Sequence, residues 1–155
     1  MSTPTIADVI SMQNHLSKMI QQLVNSSQKP SKTIPITGDE ITLHDGEEYA
    51  GIVLDEDGIP THHLVLMAGE IEDVTWDKAM EWANAQGGEL PTRQEQALLY
   101  ANCKQHFQKA AYWSNQQSDS DSGWAWYQYF GLGDQYYHPK SYALRARAVR
   151  RLVIE

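Results

Sequence analysis

The sequence contains a single cysteine, Cys103, so it cannot form an intrachain disulfide. Helical spacing places this residue with Leu99 and Phe107, which predicts a buried thiol rather than a reactive one. The sequence also lacks a basic start followed by an apolar run, and it lacks an apolar stretch of about 18 residues, so neither an export signal nor membrane insertion is predicted. We therefore expect the protein to be made and folded in a reducing cytoplasm.

Basic residues are scarce in one half of the chain. Residues 38–95 hold 15 of the 20 acidic residues against two bases, whereas five bases and one acid follow from residue 140 onward. A nucleic-acid-binding protein needs a basic face, and the formal net charge here is −8, so no nucleic-acid partner is predicted. We interpret the late basic cluster first as internal charge balance for the acidic half and second as a binding patch. The cluster consists of Arg145, Arg147, Arg150 and Arg151.

No pattern typical of catalysis or of metal binding is recognisable. Ser114 has no identifiable histidine and acid set, and neither paired carboxylates nor a phosphate-binding loop occurs. His62 and His63 begin a predicted strand but lack the spaced acid or third histidine that a metal site needs. We therefore predict a protein that is not an enzyme and that carries no cofactor.

One loop keeps a metal alternative open. Residues 118–123 place Asp119 and Asp121 two positions apart before a glycine, and calcium prefers such carboxylate oxygens. The loop lacks the later bidentate glutamate of a helix-loop-helix calcium site. A solvated loop is the favoured interpretation, with calcium binding as the alternative.

An amphipathic helix is predicted over residues 1–25. Thr5 and Asp8 form a start like a capping box, and apolar residues then recur at intervals of three and four. The apolar stripe is wider than a two-stranded seam requires, and a polar linker with two prolines, residues 26–37, follows it. A helix packed on its own domain is the alternative, but we predict a homo-oligomer, a trimer or tetramer, through this helix. The stripe consists of Val9, Met12, Leu16, Met19 and Leu23, flanked by Ile6 and Ile20.

The remaining residues, 38–155, read as one α+β domain. A short strand over 41–43 precedes a β-hairpin with strands at 49–54 and 62–67. Helices are predicted over 76–86 and 93–106.

The second helix begins at a capping box formed by Thr92 and Glu95. Its buried face is predicted to contain Ala97, Leu98 and Ala101. A hairpin, two helices and a run of short aromatic strands together define the α+β class.

Most of the aromatic residues lie between residues 112 and 152. Strands are predicted at 124–130 and 135–138 around a glycine-containing turn, and one face of the first strand belongs to the core. Tyrosines with neighbouring amides have the composition of an adaptable binding surface, although tyrosines that merely cover a sheet are the alternative. The predicted ligand-binding residues are Asn115, Gln116, Gln117, Asp119, Tyr127, Tyr129, Tyr136, Tyr137 and His138.

Several motifs within residues 48–152 resemble a known family. They are Val74-Thr75-Trp76, Gly87-Gly88, Leu90-Pro91-Thr92 with Glu95, Tyr112-Trp113-Ser114 and Arg147-Ala148-Val149-Arg150. The chain resembles an uncharacterised bacterial and phage domain family with a C-type-lectin-like fold, similar to the C-terminal domain of a collagen-like bacterial adhesin.

This resemblance implies two helices flanking small antiparallel sheets, terminal strands that pair, and an irregular region that forms the ligand surface. It also implies that Trp113 and Trp126 are core residues. The Glu-Pro-Asn and Gln-Pro-Asp tripeptides of calcium-dependent lectins are absent here.

We therefore expect a non-enzymatic recognition module of phage or prophage type. It would present the tyrosine-rich surface in several copies to a protein or glycan ligand. It would be found in the cytoplasm of the producing cell or in a virion. The alternative is an intracellular phage accessory protein that binds a host protein or sequesters a small ligand.

Overall fold

A computed structural model describes residues 2–27 and 38–155, and the chain divides into two units, Met1–Thr33 and Ile34–Glu155. The described part of the first unit forms the helix α1 (Ile6–Ser27). The Thr5 N–H donates to Asp8 Oδ2 over 2.8 Å, and the Asp8 N–H donates to Thr5 Oγ1 over 3.2 Å. This reciprocal pair confirms the predicted capping box, with aspartate in place of glutamate.

The helix extends two residues beyond the predicted end, and residues 28–37 of the predicted linker lie outside the described residues. Every apolar residue of the predicted stripe is exposed. The side chains of Leu16 and Leu23, for example, are 57% and 66% exposed.

The second unit is an α+β domain of two small sheets and two helices, and most of its elements agree with the predicted ones. In chain order they are β1 (Glu48–Leu54), β2 (Pro60–Leu66), β3 (Ile71–Val74), α2 (Trp76–Ala85), α3 (Arg93–Cys103), a 3-10 turn (Lys104–His106), β4 (Ala111–Gln117), β5 (Trp124–Tyr129), β6 (Gln135–Pro139), β7 (Leu144–Ala146) and β8 (Val149–Val153).

The strands form a three-stranded sheet in the order β1-β2-β8 and a five-stranded sheet in the order β3-β7-β4-β5-β6. The last strand, β8, pairs antiparallel with β2, and β1 lies outside β2. The expectation that the first and last strands pair is therefore wrong, because the last strand pairs with the second strand and not with the first.

The predicted strand over residues 41–43 is also wrong. No strand is present there; instead, the Thr42 carbonyl accepts a hydrogen bond from Arg150 Nη2 over 2.8 Å. An arginine side chain thus replaces the neighbouring strand as the partner of this segment's backbone.

Two clusters of buried residues pack on the sheets. One surrounds Leu64, Leu99 and Tyr112, and the other surrounds Ala83 and Trp113. Trp113 is fully buried, as predicted, and so is Cys103. Trp126 belongs to neither cluster and keeps part of its surface exposed, so its predicted place in the core is wrong.

The buried face of α3 also differs from the prediction. Ala97 and Ala101 are exposed and Leu98 is half-buried. The buried residues are instead Glu95, Gln96, Leu99 and Cys103.

In residues 2–27 and 38–155, no helix combines the length and the apolar character that crossing a membrane requires.

Candidate binding surface

The β5–β6 hairpin lies at one edge of the five-stranded sheet and carries most of the aromatic residues predicted to bind a ligand. Residues opposite each other in an antiparallel pair point to the same side, so the hairpin has two distinct faces. We call them the tryptophan face and the tyrosine face. The tryptophan face consists of Trp124, Trp126, Gln128, Gln135 and Tyr137, and the tyrosine face consists of Tyr127, Tyr129, Tyr136 and His138.

On the tryptophan face, a cation covers an aromatic cluster. The Arg93 guanidinium carbon lies 3.5 Å from the centre of the Trp126 ring. Tyr137 packs edge-on against both tryptophans, with ring centres 5.0 Å from Trp126 and 5.8 Å from Trp124. Tyr137 is 46% exposed. A stacked guanidinium beside an exposed phenol offers apolar contact area, positive charge and a hydroxyl group in one place.

Hydrogen bonds hold Arg93 in this position. Arg93 is the first residue of α3, so its backbone N–H has no acceptor within the helix. This N–H donates instead to Gln116 Oε1 over 2.8 Å. Its Nε donates to Gln135 Oε1 over 3.1 Å. Gln135 Nε2 in turn lies 2.7 Å from the Arg93 carbonyl and 2.8 Å from Gln128 Oε1. The guanidinium is therefore ordered before any ligand arrives, which reduces the entropy cost of binding.

The four arginines of the late basic cluster are occupied within the domain. Three of them pair with carboxylates, and Arg147 donates to two backbone carbonyls, which confirms the predicted internal charge balance. The pairs are Arg145 with Glu70 and Glu72, Arg150 with Glu47, and Arg151 with Glu89 and Glu95.

Arg93 differs from these four arginines. Within residues 2–27 and 38–155 it pairs with no carboxylate, and Nε is its only side-chain nitrogen with a hydrogen-bond acceptor. A guanidinium with unused donors fits a planar anion such as a carboxylate.

The tyrosine face contains a column of three stacked rings. The Tyr127 and His138 ring centres are 4.8 Å apart, and those of His138 and Tyr142 are 4.9 Å apart. Burial raises the pKa of Tyr127, which packs against the Trp113 cluster. Tyr136 is the most open residue of this face, at 57% exposed.

The predicted ligand-binding residues therefore do not form one surface. Tyr137 belongs to the tryptophan face, and Gln116 accepts a hydrogen bond from Arg93, which covers that face. Gln117 pairs with Ala125 of β5 and therefore lies on the side of the tyrosine face, where its Oε1 accepts a hydrogen bond from Lys140 over 2.9 Å. The four remaining aromatic and histidine residues lie on the opposite tyrosine face.

Two of the predicted residues have no place on either face. Asp119 is exposed in the loop that joins β4 and β5. Asn115 is half-buried, its N–H donates to the Pro91 carbonyl over 2.9 Å, and its Oδ1 is buried without a partner among the described residues.

The predicted ligand-binding residues do not include Trp124, Gln128 and Gln135 of the tryptophan face or Arg93, which covers that face, and Trp126 was predicted to lie in the core. The alternation of Trp124 and Trp126 is visible in the sequence and predicts a shared face. Nothing in the sequence indicates that Arg93, which begins a helix 33 positions before Trp126, covers it.

The candidate nucleophiles have structural roles. Ser114 is buried, and its Oγ donates to the Trp126 carbonyl over 2.7 Å. Burial raises the pKa of the Cys103 thiol, and the nearby Glu48 carboxylate raises it further. Both changes oppose formation of a nucleophilic thiolate.

The adjacent histidines contact different acids. His62 Nε2 lies 2.8 Å from Glu95 Oε2, and His63 Nε2 lies 3.2 Å from Asp39 Oδ2. Among the residues that the structure describes, no three histidine, cysteine or acidic side chains are grouped so as to hold a metal ion.

In comparisons with known proteins, no family model matches the chain and no curated protein matches it.

Proposed function

We propose that the protein is a non-enzymatic recognition module and that its tryptophan face contacts the ligand. The observation that carries this proposal is the Arg93 guanidinium stacked 3.5 Å above Trp126 beside the exposed Tyr137. Tryptophan, tyrosine and arginine dominate the binding energy of recognition surfaces, because each contributes large contact area or several hydrogen bonds.

A C-type-lectin-like scaffold is part of this proposal. Two helices, two small and mainly antiparallel sheets, and a last strand that returns to the first hairpin support it. We propose a phage or prophage setting on the resemblance of residues 48–152 alone.

Several copies of the domain are proposed to assemble through α1. The exposed stripe from Val9 to Leu23 has the three-and-four spacing of a coiled-coil seam. Assembly would bury this stripe and gather the binding faces, so that weak single contacts combine into an avidity gain of about 10²-fold for a multivalent target.

Binding to glycan and peptide arrays tests the recognition function. We expect the intact chain to bind one class of ligand on these arrays. Trp124→Ala should weaken this binding by at least about 30-fold, the loss typical of an aromatic residue that dominates an interface. Tyr142→Ala is the matched control, because Tyr142 is an exposed aromatic outside the tryptophan face. Equal losses in both variants, or no retained ligand, would refute the proposal.

The setting has its own test. Purified virions that contain the protein would support a virion component. Its absence from virions, together with its presence in infected cells, would support the intracellular accessory protein.

A further inference from the structure

The five-stranded sheet has two outer strands, β3 and β6, and β6 forms the edge beside the tryptophan face. Two backbone bonds fix which residues of this strand face its neighbour β5. The Tyr129 N–H donates to the Asp134 carbonyl over 2.9 Å, and the Lys140 N–H donates to the Gly123 carbonyl over 2.8 Å. Residues 134 and 140 therefore both direct backbone groups toward β5.

Inward and outward backbone groups alternate along an antiparallel strand. Tyr136 and His138 therefore direct their N–H and C=O groups toward β5, and Gln135 and Tyr137 direct theirs away from the sheet. No described residue forms a hydrogen bond with the outward groups of Tyr137. At the far end of this edge Pro139 has no N–H, and its carbonyl accepts a hydrogen bond from the Tyr142 N–H over 3.0 Å, so the open edge ends there.

In the three-stranded sheet, by contrast, side chains of a helix cover the edge formed by β1. Side chains of α3 reach the carbonyls of β1: Asn102 Nδ2 lies 2.6 Å from the Ala50 oxygen, and Gln94 Nε2 lies 2.8 Å from the Leu54 oxygen. Proteins commonly block such edges with covering elements or with charged side chains. Within residues 38–155, no helix covers β6 and the strand contains no lysine, and its outward groups fit the backbone of an added strand.

The open edge and Arg93 lie beside the same face. Tyr137 exposes its backbone at the edge and its ring on the tryptophan face, where it contacts Trp126 under the guanidinium. A strand added to β6 would lie about 4.8 Å further out, with alternate side chains on that face. A carboxylate among those side chains would supply the anion that Arg93 lacks.

We propose that β6 accepts an extended peptide of a partner protein as a sixth strand, with an aspartate or glutamate of that peptide paired to Arg93. A second copy of β6 fits less well, because residues Gln135–Pro139 include no acidic side chain and would leave Arg93 unpaired. Charge complementarity therefore selects an acidic peptide over self-pairing.

This inference rests on the proposed recognition function, and it is tested with a library of randomised peptides of about twelve residues displayed against the intact chain. We expect the retained peptides to alternate apolar residues with at least one acid. Replacing that acid by its amide, or Arg93 by glutamine, should weaken binding by at least about tenfold, the loss expected for one charge-assisted hydrogen bond.

Two substitutions separate the backbone contact from the ring contact. Tyr137→Pro removes the outward N–H without breaking a bond to β5, whereas Tyr137→Val removes the same ring and keeps the N–H. We expect Tyr137→Pro to bind at least about tenfold more weakly than Tyr137→Val. Amide hydrogen exchange of the unaltered chain gives a second readout, because bound peptide should slow exchange of the Tyr137 N–H by at least about tenfold.

Three results would overturn the inference: retained peptides without an acid, equal binding by the two Tyr137 variants together with unchanged exchange at Tyr137, or retention of glycans alone. If Trp124→Ala still abolishes binding in those cases, the recognition function stands and only the added strand is refuted. If the intact chain retains neither peptides nor glycans, the recognition function is refuted as well.

Discussion

Arg151 and Glu95 form a two-point ion pair in which guanidinium Nε and Nη2 each lie 2.7 Å from a different carboxylate oxygen. Glu95 is only 1% exposed, and its carboxylate also accepts the Thr92 N–H of the capping box and contacts His62 Nε2. One buried carboxylate therefore joins α3 to both β2 and β8.

Replacing Glu95 by glutamine should leave the half-buried Arg151 guanidinium without its main counter-charge. We expect the free energy of unfolding to fall by about 3 kcal/mol. Glu89 pairs with the same guanidinium, but its side chain is 64% exposed, so Glu89→Gln should cost less than about 1 kcal/mol. Urea denaturation of both variants measures the difference, and equal losses would contradict the role assigned to burial.

The stability of the domain should depend on pH through two glutamates. Burial raises the pKa of Glu95, but hydrogen bonds from Arg151 and two further donors outweigh burial and leave the pKa below its usual range. A hydrogen bond from Arg150 is the main cause that lowers the pKa of Glu47. Both pKa values lie below the unfolded value of about 4.3, so the stabilisation is complete above that pH and is lost as the pH falls through the folded values.

We therefore expect the urea midpoint of unfolding to decrease from about pH 4.3 downward. The Glu95→Gln chain should show a shallower decrease, because one of the two linked groups no longer titrates. Glu89→Gln serves as the control, and an identical pH profile for Glu95→Gln and the unaltered chain would disprove the assignment.

Assembly through α1 predicts a specific response to a charge in its apolar stripe. Leu16→Glu should convert a trimer or tetramer into monomers, because each copy would bring a carboxylate into the same seam. Asn14→Glu adds the same charge on the opposite side of the helix and should leave the mass unchanged. Light scattering after gel filtration measures both. A chain starting at Thr37 should be monomeric; if it remains fully oligomeric, α1 is not the assembly element.

Deleting residues 146–155 should abolish cooperative unfolding of the domain. The deletion removes β8, which pairs with β2, together with Arg150 and Arg151. Deleting residues 2–27 is the control and should leave a sharp transition in calorimetry. A sharp transition after the C-terminal deletion would refute the C-type-lectin-like scaffold.

The thiol of Cys103 should react slowly in the folded chain. Burial raises its pKa and blocks access, so we expect labelling by a chromogenic disulfide to be at least about 100-fold slower than in urea. Because the chain has no other cysteine, the signal needs no assignment. Labelling at the denatured rate would show that this part of the core opens readily.

Elements that depend on residues close together in the chain could be predicted from the sequence. The capping box of Thr92 and Glu95 depends on residues three positions apart, and the hairpin of β1 and β2 depends on its turn. The buried face of α3 could not be predicted in this way. Glu95 and Gln96 look like surface residues, and their partners Arg151 and Tyr112 lie on distant strands.

The candidate site was predictable to a similar extent. Alternation along β5 places Trp124 and Trp126 on one face, and the predicted surface included Tyr137. The residue that organises the face, Arg93, is brought there by the packing of α3 against β5, which no local pattern specifies. The division of the tyrosines between two faces follows from strand pairing and was visible in the alternation itself.

The pairing of β8 with β2 also sets an order of events during synthesis. The domain cannot close its first sheet until residue 153 has been translated, whereas α1 is complete once residue 27 has been added. At ordinary translation speeds the interval is on the order of ten seconds. The proposed assembly through α1 would therefore have time to begin between chains on neighbouring ribosomes before any attached domain has folded, and it would favour copies made from the same message.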